Sequence, residues 1–122
     1  MRPLKSVSMN ELDFEKCGGI LPVVVQEEGT GKVLTLAYVN REAIQRTLET
    51  GYAHYYRRSR GRVMMKGETS GNVQEIVDIL VDCDLDAVLY VVRPRGAACH
   101  LGEETCFHNR LKEIEARSTQ PP

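Results

Sequence analysis

Residues 73–94, VQEIVDILVDCDLDAVLYVVRP, restrict the fold of this chain more than any other stretch. The first part alternates with a period of two, the pattern of a strand with one buried face. One face carries Val73, Val77, Ile79, Val81 and Cys83; the other carries Gln74, Asp78, Asp82 and Asp84, with Ile76 and Leu80 between. AVLYVVRP then reads as a further strand ending at Pro94. Between them sit three aspartates and a cysteine, and such groups in a buried strand cost stability unless something binds them.

The flanking sequence is also β-rich. GGILPVVVQ (18–26) and KVLTLAYV (32–39) are joined by EEGTG, a hairpin signal. NREAIQRTLETG reads as a short helix, capped by Asn40, stapled by Val39 and Ile44, and stopped at Gly51. Its expected buried face is Ala43, Ile44, Thr47 and Leu48. AHYYRRS and RVMMK form two strands turning at Arg60–Gly61, and KGETSGN (66–72) is a polar loop. CFHNRLKEIEARSTQPP reads as a short polar helix opened by His108, then a frayed tail. The expected class is α+β, mainly antiparallel sheet with one or two short helices.

At 122 residues the chain is long enough for one core and not for two. A net charge of −1 gives no support to a nucleic-acid or acidic-membrane partner, and no apolar run approaches a membrane span. The N-terminus lacks the apolar core of a secretory signal, so a cytoplasmic protein is expected. Four cysteines, Cys17, Cys83, Cys99 and Cys106, then point to metal binding or reduced thiols rather than disulfides.

Asp82, Asp84 and Asp86 would share one face of a strand and repel one another unless a cation sits among them. Three carboxylates suit a hard ion such as Mg²⁺; the plain alternative is a strand running out into a solvated acidic turn. Cys83 points the other way, either as a buried thiol or as a ligand with Cys99 and Cys106. Three thiolates leave a tetrahedral zinc one open position, as a zinc that activates water keeps, whereas Cys17 as a fourth ligand would close the site. His100, beside Cys99, is either a surface residue or an acid/base group. The KGETSGN loop offers Lys66, hydroxyls and backbone N–H groups that can receive a phosphate, with Arg57, Arg58, Arg60 and Arg62 just upstream.

Five segments in order, GGILPVVVQ, GKVLTLAYVNREA, SRGRVMMKGETSGNVQ, DCDLDA and ACHLGEETCF, resemble the phosphoribosyl-AMP cyclohydrolase family of histidine biosynthesis. The resemblance spans about residues 14–111, with 1–13 an N-terminal extension and 112–122 a helix end and tail. It implies an intertwined homodimer with one Zn²⁺ per subunit, held by Cys83 of one chain and Cys99 and Cys106 of the other. It implies Mg²⁺ on Asp82, Asp84 and Asp86, and opening of the N1–C6 bond of the adenine ring in a nucleotide substrate. His100 would handle protons; Arg60, Lys66, Glu68, Thr69 and Ser70 would hold the substrate. Cys17 has no counterpart in the motif and is expected as a free thiol.

The chain departs from the family pattern at Tyr56 and Met64, where tryptophan is usual, and at Arg57, Ala97 and Leu101. None of these removes a metal ligand. Two other readings remain open beside the leading one: a paralogue acting on a related nucleotide, and a non-catalytic, zinc-stabilised nucleotide-binding dimer.

Overall fold

The structure, a computed structural model, describes residues 4–118 apart from the side chains of Cys17, Ala116 and Ser118. The expectations of a free thiol at Cys17 and a frayed tail after 118 lie outside the described residues. Two 3-10 turns, Met9–Glu11 and Glu15–Cys17, precede the strands β1 (Leu21–Glu27) and β2 (Val33–Val39). Helix α1 (Arg41–Thr50), β3 (His54–Arg57), β4 (Arg62–Met65), β5 (Gln74–Val81), β6 (Val88–Pro94) and α2 (Lys112–Ser118) follow. The class is α+β with mostly antiparallel strands and two short helices. No helix among the described residues is long and apolar enough to cross a membrane.

The larger sheet has the order β2-β1-β6-β5, and β3–β4 form a separate hairpin. β1 and β2 are antiparallel, as are β5 and β6, whereas β1 and β6 run parallel from Val23↔Val88 to Glu27↔Val92. That parallel pair was not foreseen, because strands far apart in sequence carry no turn signal. Alternation decides what is buried. Leu21, Val23 and Val25 of β1 and Val88, Tyr90 and Val92 of β6 face one core, joined by Leu34, Val39, Ala43, Ile44, Ala53 and Tyr55.

β5 corrects the period-two reading. Ile76 pairs with Val92 but Asp78 pairs with Val91, so Val77 is the extra residue of a bulge and stands exposed. The bulge resets the phase. Ile76, Ile79 and Val81, not Val77, pack against the core. The strand ends at Val81, so DCDLD is a turn rather than strand.

Helix α1 follows its sequence signals closely. The Asn40 side chain accepts from the Ala43 N–H, and Gly51 at φ 80° closes the C-terminus. Ala43, Ile44 and Thr47 are buried, but Leu48, expected with them, is 61% exposed. The last helix starts at Lys112, four residues after the expected opening at His108.

A buried polar chain joins helix and sheet. Thr47 Oγ1 donates to Ala43 O, accepts from the His54 N–H, and lies 3.2 Å from Tyr90 Oη. Burial, opposed in part by Thr47, pushes the Tyr90 phenol up to about 12. Burial also raises Tyr55, whose hydroxyl donates to Gln74 Oε1. The native state therefore holds phenol protons that an unfolded chain releases near pH 10. Stability is expected to be complete below that pH and to fall through the window up to about 12, at about 1.4 kcal/mol per unit for each such group. Urea unfolding at pH 9, 10 and 11 should show this fall, and a shallower one in Tyr90→Phe.

Candidate metal and substrate site

The acidic turn is built by its own backbone. Asp82 Oδ1 accepts from the N–H groups of Asp86 (3.0 Å) and Ala87 (3.1 Å), and the Leu85 N–H returns to Asp82 O at 3.2 Å. Leu85 has φ 65°, a left-handed conformation that costs a side-chain-bearing residue about 1–3 kcal/mol. In this geometry Asp82, Asp84 and Asp86 each offer an oxygen, all within 4.8 Å of one another. Of the two readings the sequence left open for these carboxylates, the acidic turn holds and the shared strand face does not. They converge through a tight turn, not along one face of a strand.

The group behaves as a charge cluster. The Asp84 backbone N–H lowers its own carboxyl, but sharing with Asp82 and Asp86 outweighs this and leaves it raised. Asp86 is lowered, first by the hydrogen bond from Lys16 at 2.8 Å. All-oxygen donors at this spacing fit a hard divalent cation. Two partners escaped the sequence reading. Lys16 was one, the partner of Asp86, since nothing local links residues 70 positions apart; the other was His108, which meets Cys99 instead.

Cys83 stands exposed in the same turn, so of its two readings the buried strand thiol does not hold within the chain. Cys99 is buried and Cys106 half-buried, in the segment after β6. Loop 98–104 is closed by Cys99 N–H to Glu103 O (3.1 Å) and Gly102 N–H to Cys99 O (3.0 Å). Cys106 is pinned to β2 by its N–H to Leu34 O at 2.7 Å. Cys99 Sγ lies 3.6 Å from His108 Nε2, and His100 sits exposed in the turn beside it.

Cys83 precedes β6 and Cys99 follows it. Seven strand residues separate their ends by roughly 20 Å at about 3.3 Å per residue. Among the described residues, the aspartate trio is the one group of three or more potential ligands within a single chain. The three thiols have the soft donor chemistry of a zinc site, and none of them is in a disulfide. One chain alone does not assemble them.

The polar loop is anchored by the same residue that was expected to meet substrate. Lys66 Nζ donates to Asn72 O (3.2 Å) and Ala97 O (3.4 Å), and burial, helped by Arg57, lowers its pKa while Cys106 opposes. Arg95 N–H to Val73 O (2.8 Å) continues this seam, which holds the loop against the segment leading to Cys99 and His100. Glu68, Thr69 and Ser70 project from the exposed outer part of the loop. Arg60 lies in the exposed β3–β4 turn, where Arg58 stacks 3.9 Å over the Tyr38 ring.

The phosphoribosyl-AMP cyclohydrolase family model matches residues 35–108, more than half of the chain. The chain belongs to the phosphoribosyl-AMP cyclohydrolase family. The phosphoribosyl-AMP cyclohydrolase of Nitrosopumilus maritimus is 55% identical over 105 residues, covering 86% of this chain and 97% of that protein. That of Archaeoglobus fulgidus is 53% identical over 107 residues, covering 88% and 98%. The histidine biosynthesis bifunctional protein HisIE of Pyrococcus furiosus is 55% identical over 107 residues. There the match covers 88% of this chain but 51% of the relative, so this member of the cyclohydrolase family spans about half of that longer protein.

The seam has no spare room. A Cβ on Gly96 would fall 2.2 Å from Asn72 Oδ1 and 2.7 Å from its Cγ, while Asn72 Cβ is 3.2 Å away. Gly96→Ala is expected to cost about 1–3 kcal/mol by overpacking. Adding Asn72→Ala removes the two closest atoms, so the double variant should recover most of the loss. Urea denaturation of the four proteins of the cycle checks this.

Proposed function

We propose that the chain is a zinc-dependent phosphoribosyl-AMP cyclohydrolase of histidine biosynthesis. It would open the N1–C6 bond of the adenine ring of 1-(5-phosphoribosyl)-AMP as a homodimer. The observation that carries this reading is the 55% identity with a protein of that name over 97% of its length. A cytoplasmic location goes with it, as for other steps that act on small metabolites.

Ribosylation at N1 makes the purine ring cationic, so C6 is open to attack by water. Cys83 of one chain and Cys99 and Cys106 of the other would hold zinc, which when bound would supply the Lewis acidity that lowers the pKa of water toward about 7. His100, exposed beside Cys99, takes a proton as the O–C6 bond forms and returns one to N1 as the N1–C6 bond breaks. Asp82, Asp84 and Asp86 would hold Mg²⁺, whose charge would suit one phosphate end. Arg60, Thr69 and Ser70 hold the other, with Glu68 beside them. Lys66 serves that loop as its anchor, through the two carbonyls it already binds.

Two features support the dimer. The thiols stand at opposite ends of β6 in one chain, so a second chain is needed to bring them together. In addition, Leu36, Val24, Leu89 and Leu80 pair across all four strands on the sheet face turned from the core. Val24 and Leu36 there are 38% and 49% exposed.

Turnover of phosphoribosyl-AMP by metal-analysed protein, with and without a chelator, tests the reading. Chelator-sensitive activity with about one zinc per chain is expected; a zinc-loaded, Mg²⁺-supplied protein without turnover would falsify it. Cys83→Ala should lose zinc and activity together. His100→Ala should keep zinc and lose about 10²–10⁴-fold in rate.

One observation favours a second reading. His108 Nε2 at 3.6 Å from Cys99 Sγ stands where an imidazole can complete a zinc sphere, which would make the site structural. A cobalt-substituted spectrum separates the two. Four strong protein ligands, one of them lost in His108→Ala, mark the structural site, and an exchangeable water marks the catalytic one.

A further inference from the structure

Three carboxylates close together repel one another, and in this fold a lysine of the same chain offsets part of that charge. Lys16 Nζ lies 2.8 Å from Asp86 Oδ2, with the Asp86 side chain 19% exposed and that of Lys16 53% exposed. Asp84 and Asp13 add to the negative field at its ammonium. This is more than a long surface side chain meeting an acid. The Lys16 N–H donates to Asp13 Oδ1 at 3.1 Å, and the Asp13 N–H donates to Leu85 O, inside the acidic turn, at 2.8 Å. Two backbone-anchored bonds thus fix the base of Lys16 beside the carboxylates before its side chain reaches them.

We propose that Lys16 is the tethered counter-cation of the Asp82–Asp84–Asp86 turn, and that a hard divalent cation enters the turn by displacing its ammonium from Asp86. This rests on the magnesium reading above. Asp82 has Oδ1 committed to the backbone, so the donors left are its Oδ2, the Asp84 carboxylate and the Asp86 carboxylate. Lys16 holds one oxygen of the last of these, Oδ2, and shields that carboxylate with its charge. A dication in the turn gains the three carboxylates but gives up the lysine's bond and acquires a like charge next to it. Lys16 therefore weakens cation binding while keeping the empty turn from pushing itself apart. In effect it biases the site toward cations that arrive with phosphate, whose negative charge offsets the lysine.

Calorimetric titration of MgCl₂ into the zinc-loaded full chain, Lys16→Met and Lys16→Arg tests this. An exposed pair of this kind predicts that Lys16→Met binds Mg²⁺ about two- to fivefold more tightly, while Lys16→Arg stays at the parental affinity. In the unmutated protein the Lys16 ε-methylene resonance should move saturably with Mg²⁺. Equal or weaker binding by Lys16→Met overturns the proposal, as does a Lys16 resonance that stays still at saturating Mg²⁺. If neither parent nor variant gives saturable heat, the magnesium reading falls and this inference with it. That result is distinct from equal binding, which sinks the lysine's role alone.

Discussion

The parallel pairing of β6 with β1 is the constraint on which the layout of this molecule depends. It places β6 in the middle of a four-stranded sheet, with β5 on its other side and the β1–β2 hairpin beyond. A central strand has its backbone groups satisfied on both edges, and its inward side chains Val88, Tyr90 and Val92 anchor the core. The chemistry-bearing segments hang from its two ends. The acidic turn with Cys83 enters it; the loop with Cys99 and His100 leaves it. Since a strand is stiff, the distance between these groups is set by strand length rather than by loop flexibility.

At both ends, function-bearing residues are held by backbone hydrogen bonds rather than by packing. The acidic turn tolerates a left-handed Leu85 because Asp82 satisfies two N–H groups and Asp13 a third partner on Leu85 itself. At the other end, Lys66 donates hydrogen bonds to two carbonyls and so ties the loop to the segment leading to the thiols. Both arrangements tie a lysine to the chain itself, Lys16 to Asp86 and Lys66 to the carbonyls of Asn72 and Ala97. In one the lysine meets a carboxylate, and in the other it holds a loop against the thiol segment.

Much of this was legible beforehand, and the failures have identifiable causes. The β1–β2 hairpin, α1 with its Asn40 cap and Gly51 stop, and the β3–β4 hairpin follow from local signals, which depend on near neighbours. Family membership was legible too, because five short motifs in order are a specific pattern even when each is weak. Leu48 and Val77 were misplaced because apolar character says only that a residue can be buried. The helix's rotation and a one-residue bulge decided that they were not. Period-two logic carried past Val81 into the aspartates, although Asp also favours turns and an acidic turn stood as the alternative; the left-handed φ of Leu85 belongs to that turn.

By itself, then, the sequence determined which residue types are available for chemistry, three carboxylates, the thiols and His100, and the short elements that carry them. These are properties of composition, spacing and contacts between near neighbours along the chain. Only the tertiary structure decided that the carboxylates meet in a turn, that Lys16 pairs with Asp86 from 70 residues away, and that Cys83 and Cys99 lie at opposite ends of one strand. Those relations depend on which strands pair and in which direction. That choice is made by burial of the whole alternating set at once, and no single stretch of the chain encodes it.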